Sequence, residues 1–296
     1  MSGMTRRPEW SIYYGDMFDR AMTRRSALSS SVFGCPLLAG AGPLTGRIKI
    51  AVKYQMILEP EMTVMEKFRM LREVGIDGTE VRTNEPVDIS ELERAMGDTG
   101  IPVHGIINAS DPELLPALEL AKRLGCDSVL TWAREDPQLS YDDNFNAWQG
   151  HVAKAVSVAE DFGIYLCVEN VRASFLKTGE QMSEFIDSFD SPLVKSYFDL
   201  GNTITWTDQS AQDWATALGK RIYKLDIKDR GHPEFGEPKL KREGVVGTNG
   251  GEVHWEKVLA ILDGLDFSGW ATAEVRGGDR QRLERMALWM RDVLDL

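Results

Sequence analysis

Short apolar runs alternate with longer amphipathic segments along most of this chain. The runs are apolar at consecutive positions and are bounded by glycine or polar residues, a pattern typical of parallel strands that are buried on both faces. Between them, apolar residues recur three and four positions apart, which predicts amphipathic helices. The predicted strands are Ile48–Val52, Thr79–Arg82, Ile101–Ile107, Asp127–Trp132, Ile164–Asn170, Val194–Asp199, Ile222–Asp226 and Trp270–Glu274. The predicted helices follow them in turn at 61–74, 88–96, 111–124, 143–162, 178–189, 213–218, from 255 onwards, and 279–294.

This alternation of strands and helices predicts an α/β fold, a single (β/α)8 TIM barrel over residues 42–296. The chain has 296 residues and is 43% hydrophobic, which is sufficient for one large core. An open doubly wound sheet is the alternative. However, the first turn carries no Gly-x-Gly-x-x-Gly motif, and no other segment indicates a dinucleotide site.

Residues 1–41 carry a different pattern. The pair Arg24 and Arg25 precedes an uncharged stretch that ends in the small-residue run Ala39-Gly40-Ala41. This order is typical of a twin-arginine export signal cleaved after Ala41, and it predicts an exported, periplasmic protein. A disordered extension of a cytoplasmic protein is the alternative. The uncharged stretch is too short to predict a membrane span, so we expect no stable membrane anchor.

Charge and cysteine content disfavour two classes of protein. The net charge of −12 would repel phosphate backbones, so we expect no nucleic-acid partner. Three cysteines are too few for a disulfide framework, and Cys126 and Cys167 lie in or beside predicted strands, where a thiol is an ordinary core residue. Trp206, Trp214 and Trp289 could form a homo-oligomer interface or pack within the fold.

Four predicted strands in succession end on an acidic residue. These residues are Glu169, Asp199, Asp226 and Glu274. One such acid is ordinarily a loop residue or a helix cap. Four in consecutive units of a barrel would converge on one rim, where their charges repel unless protons or a cation neutralise them. Because all the donors are oxygens, Mn²⁺ or Mg²⁺ is favoured over Zn²⁺.

Several motifs resemble, in this order, the strand ends of the xylose isomerase-like sugar phosphate isomerase/epimerase family. They are GIYLCVENV, VKSYFDLGNT, LGKRIYKLDIKDR, GGEVHWEKVL and GWATAEVRGGD. The earlier segments VKYQMI, EVGIDGTEVR, IPVHGII and AKRLGCDSVLTW are similar to the first four units of that family. The resemblance therefore extends from residue 48 to the end of the chain and implies the same barrel.

The resemblance also implies a metal held by Glu169, Asp199, Asp226 and Glu274. Many relatives carry His or Gln at the third of these places, so Asp226 makes this site more anionic. If Asp226 does not reach the metal, we expect it to pair with Lys224 or Lys228. In this family the metal chelates a carbonyl and the neighbouring hydroxyl and stabilises an enediolate.

The same resemblance assigns the catalytic roles to Glu169 and Glu274. One glutamate would remove a proton from the carbon beside the carbonyl, and the other would return a proton to the opposite face or to the adjacent carbon. Two groups are needed because a single base can reprotonate only the face that it deprotonated.

Other strand-end residues are candidate substrate contacts. They are His104, Trp132, Asn202, Lys228 and Arg276. Each has an ordinary structural interpretation as well: a buried histidine, an aromatic residue covering the core, a hydrogen-bonding amide, an ion pair, and an arginine at the start of a helix. Arg276 is followed by two glycines, which could hold a phosphate at the helix N-terminus, although the charge of Asp279 opposes this.

The function predicted is therefore a metal-dependent isomerase or epimerase of a free sugar, a keto-sugar or a glycoside. A lyase or dehydratase that starts from the same enediolate is the first alternative, and a non-catalytic sugar-binding barrel is the second. An endonuclease IV-like hydrolase is disfavoured, because those relatives use a histidine-rich zinc site and this chain has four histidines.

Overall fold

Eight parallel strands close into a barrel in chain order, and the last strand pairs with the first. The computed structural model describes residues 42–109, 113–232, 234–235 and 251–296. The strands are β1 Ile48–Lys53, β2 Gly78–Arg82, β3 Val103–Ile107, β4 Ser128–Trp132, β5 Tyr165–Glu169, β6 Val194–Asp199, β7 Ile222–Ile227 and β8 Gly269–Ala273. The predicted (β/α)8 barrel is confirmed. The predicted export signal at 1–41 lies outside the described residues.

Nine α-helices cover the barrel within the described ranges. They are α1 Val64–Glu73, α2 Ile89–Thr99, α3 Leu115–Leu124, α4 Tyr141–Phe162, α5 Gly179–Asp187, α6 Leu200–Trp206, α7 Ala211–Leu218, α8 Trp255–Gly264 and α9 Arg280–Val293. The sequence analysis predicted one helix between β6 and β7, and the structure has two, since α6 follows β6 directly. The predicted start of α3 at Asp111 lies outside the described residues.

Local sequence determines where α1 begins and ends. Thr63 accepts a hydrogen bond from the backbone of Glu66, whose side chain returns one to the backbone of Thr63, forming a capping box. At the other end Gly75 has a φ of +79°, the left-handed conformation that glycine adopts without strain. Gly75 therefore follows the end of this helix, which agrees with the predicted helix end at residue 74.

The core between the barrel and its helices is apolar. Phe68, Leu92 and Trp214 are fully buried there. Cys126 and Cys167 are buried free thiols, as the sequence analysis predicted. Among the helices of the described residues, none combines the length and the apolar character that a membrane crossing requires.

The inside of the barrel, by contrast, contains a hydrogen-bonded polar network beside a small apolar cluster. The Tyr197 hydroxyl lies 2.9 Å from Glu80 Oε2 and 2.8 Å from Thr272 Oγ1. Lys224 Nζ lies 2.9 Å from His104 Nδ1. All five side chains are buried, so this network replaces water as the hydrogen-bonding environment of the barrel interior.

Candidate active site

Four carboxylates meet at the C-terminal end of the barrel. Glu169 ends β5, Asp199 ends β6, Asp226 is the penultimate residue of β7, and Glu274 directly follows β8. One carboxylate oxygen from each residue lies within 4.8 Å of those of the other three. The first three residues are 5% exposed or less, whereas the side chain of Glu274 is 32% exposed. The structure therefore brings together all four predicted metal ligands, and we call them the carboxylate cluster.

Two lysines extend into this cluster. Lys53, the last residue of β1, places Nζ 3.0 Å from Asp226 Oδ2 and 2.5 Å from Glu274 Oε1. Lys228 Nζ lies 2.7 Å from Asp199 Oδ2 and 2.6 Å from Glu274 Oε2. Four carboxylates and two ammonium groups thus share one small volume, and the positive charges offset part of the repulsion among the acids.

The sequence analysis missed Lys53. It considered Lys224 or Lys228 as the partner of Asp226, because the predicted β1 stopped one residue early at Val52. The observed strand ends on Lys53, so the rule that found the acids also identifies this lysine, since it too is a charged residue that closes an apolar strand.

The two glutamates of the cluster differ in their electrostatic environment. Burial and the charge of Glu274 raise the pKa of Glu169 well above its ordinary value. Burial alone would also raise the pKa of Glu274, but the adjacent Lys228 and Lys53 hold it well below its ordinary value. In the metal-free protein Glu169 therefore favours the protonated form and Glu274 the ionised form.

Burial and neighbouring charges also shift the pKa values of the other charged groups in the cluster. Burial raises the pKa of Asp226 well above its ordinary value, although Lys53 opposes the shift, and it raises the pKa of Asp199 to about 7 against the charge of Lys228. Burial by itself would lower the pKa of Lys53, but the nearby carboxylates hold it well above its ordinary value. Both lysines therefore remain cationic.

Asn202 connects the cluster to α6. Its backbone amide donates to Asp199 Oδ1 at 2.9 Å, and its side-chain Nδ2 lies 2.9 Å from the Asn170 carbonyl and 3.4 Å from Glu169 Oε1. Trp206 Nε1 donates to Asn202 Oδ1 at 3.1 Å and thereby fixes the orientation of the amide. Asn202 therefore lies beside Glu169, and its contact with substrate stays a prediction.

His104 lies away from the cluster, in the barrel interior nearer the N-terminal ends of the strands. It is 4% exposed, and its ring stacks on Trp270 with centroids 4.1 Å apart. Its nitrogens face Lys224 Nζ and, at 3.4 Å, Thr272 Oγ1. Burial, reinforced by the Lys224 charge, lowers the pKa of His104 well below its ordinary value. These contacts make His104 part of the interior network, and substrate binding by it stays a prediction.

Trp132 is held at the end of β4 by its own hydrogen bond. Its Nε1 donates to the Ala109 carbonyl at 2.8 Å, and the guanidinium of Arg134 lies 4.2 Å from the centre of its ring. A cation over an aromatic face stabilises both groups. Trp132 is therefore fixed near the barrel rim, and sugar stacking on it stays a prediction.

The two glycines after Arg276 serve close packing. The Gly278 amide donates to the Met56 carbonyl at 3.0 Å, so it is already used within the protein. A Cβ atom on Gly277 would lie 2.2 Å from the same carbonyl oxygen. The segment thus packs directly against the residues that follow β1, and Asp279 caps α9 by accepting from the Arg282 amide. This arrangement gives no support to the phosphate-binding interpretation.

The carboxylate cluster has the donor set of a hard divalent cation. All four candidate ligands offer oxygens, and Asp226 Oδ1 is buried without a hydrogen-bond partner among the described residues. An unpaired buried carboxylate oxygen is costly unless a cation or a proton meets it. The residues present therefore fit Mn²⁺ or Mg²⁺, and the choice between these ions stays a prediction.

Comparison with known proteins agrees with this architecture. A family model described as "Xylose isomerase-like TIM barrel" matches residues 68–293. The chain belongs to the xylose isomerase-like TIM barrel family. The resemblance found in the strand-end motifs is thereby confirmed at the level of the family. A comparison with curated protein sequences finds no match.

Three solved structures illustrate the proteins that share this fold. The 3-keto-D-glucoside 4-epimerase YcjR from E. coli is 19% identical, with a TM-score of 0.65 over 83% of this chain and 99% of its own. The IOLI protein with a bound zinc atom is 17% identical, with a TM-score of 0.65 over 83% and 98%. AsbF from Bacillus anthracis, a probable 3-DHS dehydratase, is 15% identical, with a TM-score of 0.65 over 82% and 98%. At sequence identities of 15–19%, these structural similarities establish a shared fold and no more.

Proposed function

We propose that this protein is a divalent-metal-dependent sugar isomerase or epimerase that transfers a proton at a carbon next to a carbonyl. The observation that carries the proposal is the buried carboxylate cluster with Glu169 and Glu274 in it. The substrate would be a free sugar or a keto-sugar. The sugar epimerase among the structural relatives supports this class of substrate.

The placement of the two glutamates suits a reaction that uses both faces of a carbon. β5 and β8 are three strands apart in a ring of eight, so Glu169 and Glu274 approach the mouth of the barrel from nearly opposite sides. A sugar bound between them would present one face to each carboxyl group. One of the two glutamates would accept the proton, and the other would supply one to the other face or to the adjacent carbon.

The lysines would respond to the charge that develops on the substrate oxygens. Proton removal beside a carbonyl places negative charge on oxygen, and the ammonium group of Lys228 lies at the same mouth to stabilise it. A divalent cation, when bound by the cluster, supplies a Lewis acid for the carbonyl and its neighbouring hydroxyl. Asn202 orients Glu169 through its side-chain amide.

Deuterium exchange tests this proposal directly. The full chain, supplied with Mn²⁺ or Mg²⁺, is incubated in D₂O with a panel of ketoses and 3-keto-glucosides, and NMR follows deuterium at the carbon beside the carbonyl. We expect exchange with at least one sugar, and about a 100-fold or greater loss of rate in Glu169→Gln and in Glu274→Gln, because each removes a proton-transfer group.

Glu256→Gln, which changes an exposed glutamate on the surface of α8, is the matched control and should exchange at the wild-type rate. Retained exchange in both cluster variants would contradict the assigned roles. A product that has lost water would instead assign the lyase chemistry, which begins with the same proton removal. Binding of sugars without exchange would identify a non-catalytic barrel.

A further inference from the structure

The oxygens of the carboxylate cluster are largely occupied by the protein's own cations. Lys53 contacts Glu274 Oε1 and Asp226 Oδ2, and Lys228 contacts Glu274 Oε2 and Asp199 Oδ2. Both oxygens of Glu274 thus face an ammonium group. A divalent ion that uses Glu274 or Asp226 must therefore share these oxygens with a lysine or displace it.

Lys53 has little freedom to move away. Its side chain is 5% exposed, compared with 17% for Lys228, and its contacts within the described residues are with the cluster itself. Moving a buried ammonium group away from these carboxylates would leave it without a counter-charge, so we expect it to stay beside the ion. The repulsion between the two cations would then persist in the metal-bound protein.

We propose that Lys53 is a built-in counter-cation that competes with the divalent ion for Asp226 and Glu274 and thereby sets the metal affinity of the site. This inference rests on the metal dependence in the proposed function. It makes Lys53 a positioning residue, which acts on the metal through the two carboxylates it contacts. Asp226 Oδ1, buried and unpartnered within the described residues, is the oxygen that Lys53 leaves open to the ion.

Lys224 provides a matched control for removing a buried ammonium group. It is fully buried in β7, as Lys53 is nearly so in β1. Its Nζ lies 2.9 Å from His104 Nδ1 and 2.6 Å from Asp127 Oδ1, so its direct contacts lie outside the cluster. Lys224→Met removes the same charge from the same kind of environment and leaves all four lysine contacts of the cluster in place.

The test is titration of the metal-free full chain with Mn²⁺ in a calorimeter, with circular dichroism to verify folding. We expect Lys53→Met to bind Mn²⁺ at least about tenfold more tightly than the wild type, and Lys224→Met to bind within about twofold of it. In an Asp226→Asn background the effect of Lys53→Met should shrink, because one of the two contested carboxylates is gone. Lys53→Gln repeats the test with a polar side chain should Lys53→Met fail to fold.

Each result shows whether Lys53 competes with the divalent ion. Tight binding by the Lys53 variants, combined with weak or undetectable binding by the wild type, would support competition. Unchanged or weaker binding in the folded Lys53 variants, or an equal gain in Lys224→Met, would overturn it. A failure of the proposed function is distinct, because an absence of sugar exchange would leave these affinities as measured.

Discussion

Asp199 serves two purposes at the end of β6. Its Oδ1 accepts the Asn202 amide and caps α6, while its Oδ2 lies against Lys228. Burial raises the pKa of Asp199 to about 7, although the Lys228 charge opposes this. In the metal-free protein this carboxyl group is therefore partly protonated near neutral pH, and a metal must displace that proton before it can bind.

Because of Asp199, the thermal stability of the metal-free protein and its metal affinity should change with pH in opposite directions. The raised pKa of Asp199 contributes stability that is present below about pH 4 and is lost as the pH rises through about 7. Chelator-treated protein should thus lose thermal stability from pH 5 to pH 8, while its Mn²⁺ affinity rises and protons are released on binding. Thermal unfolding and calorimetry in two buffers of different ionisation enthalpy measure both.

Asp199→Asn should reduce the slope of the stability profile in this interval, and Glu169 and Asp226, whose pKa values burial also raises, contribute with the same sign. The depressed pKa of Glu274 acts at lower pH, because its contribution is present above about pH 4.5 and is lost as the pH falls through its folded-state value. An Asp199→Asn variant with the full wild-type slope would show that another group titrates here.

Individual acids could be predicted from sequence because position in a strand determines which rim a side chain reaches. The partners of those acids could not. Lys53 lies 173 residues from Asp226 and 221 from Glu274, so its pairing depends on the closure of β8 on β1. For His104 the strand was predicted, but its depth inside the barrel follows from the register with neighbouring strands, which shifts between Thr79 and Glu80.

At the scale of elements, α6 is a helix although its residues have low helix propensity. Its sequence, LGNTITW, contains glycine, asparagine and two threonines, all weak helix formers, and the sequence analysis predicts no helix there. The helix forms because Asp199 caps its first turn and because most of its residues are buried. By contrast, Val194–Asp199 was predicted with the bounds that the structure has, since its apolar run and its final acid both mark the strand.

The connection from β7 to α8 depends on one buried carboxylate. Asp229 Oδ1 accepts the amides of Glu252 and Val253 at 2.7 and 3.0 Å, and Oδ2 accepts Trp255 Nε1 at 2.9 Å. A Cβ atom on Gly251 would lie 2.0 Å from this carboxylate, so only glycine fits there without a shift of its neighbours. Asp229 thereby holds the start of α8 against the end of β7.

Asp229→Asn should lower the free energy of unfolding by about 1–3 kcal/mol, because the amide must point a donor at one of the three donors that the carboxylate accepts. Urea denaturation measures the change. Asp98→Asn, the same substitution at an exposed position on α2, should stay within about 0.5 kcal/mol of the wild type. Equal effects at the two positions would refute the role of Asp229 as a clamp.

At the scale of the whole molecule, the barrel contains a buried polar network beneath the carboxylate cluster. Lys224 precedes Asp226 by two residues on β7, so both side chains point inward at successive depths. The upper layer is the carboxylate cluster, and the lower layer contains Tyr197, Glu80 and Thr272. Buried polar layers of this kind stabilise the fold when every member has a partner.

Tyr197→Phe should affect the lower layer and leave the carboxylate cluster unchanged. It removes the donor to the buried Glu80 carboxyl group and should cost about 1–3 kcal/mol of stability in urea denaturation, while leaving Mn²⁺ affinity near the wild-type value. Tyr165→Phe is the control, because the Tyr165 hydroxyl makes no hydrogen bond within the described part of the chain. Loss of metal affinity in Tyr197→Phe would show that the layers act as one unit.

The fold could be predicted from sequence because eight repeated strand–helix units are compatible with few architectures. In addition, the spacing of apolar residues clearly distinguishes the helices from the strands. The net charge of the site could not be predicted. The acids are recognisable from their positions at strand ends, but the net charge of the cluster also depends on Lys53. Only the closure of the barrel brings Lys53 to Asp226 and Glu274.

Glu274 bridges Lys53 and Lys228 and is contributed by the residue that follows the last strand. During synthesis on the ribosome, Lys53 and three of the four acids emerge well before it. A nascent chain that ends before residue 269 carries both ammonium groups but lacks the carboxylate that joins them. The cluster is therefore complete only after translation has passed the eighth strand, and a metal held by all four carboxylates is acquired after that point.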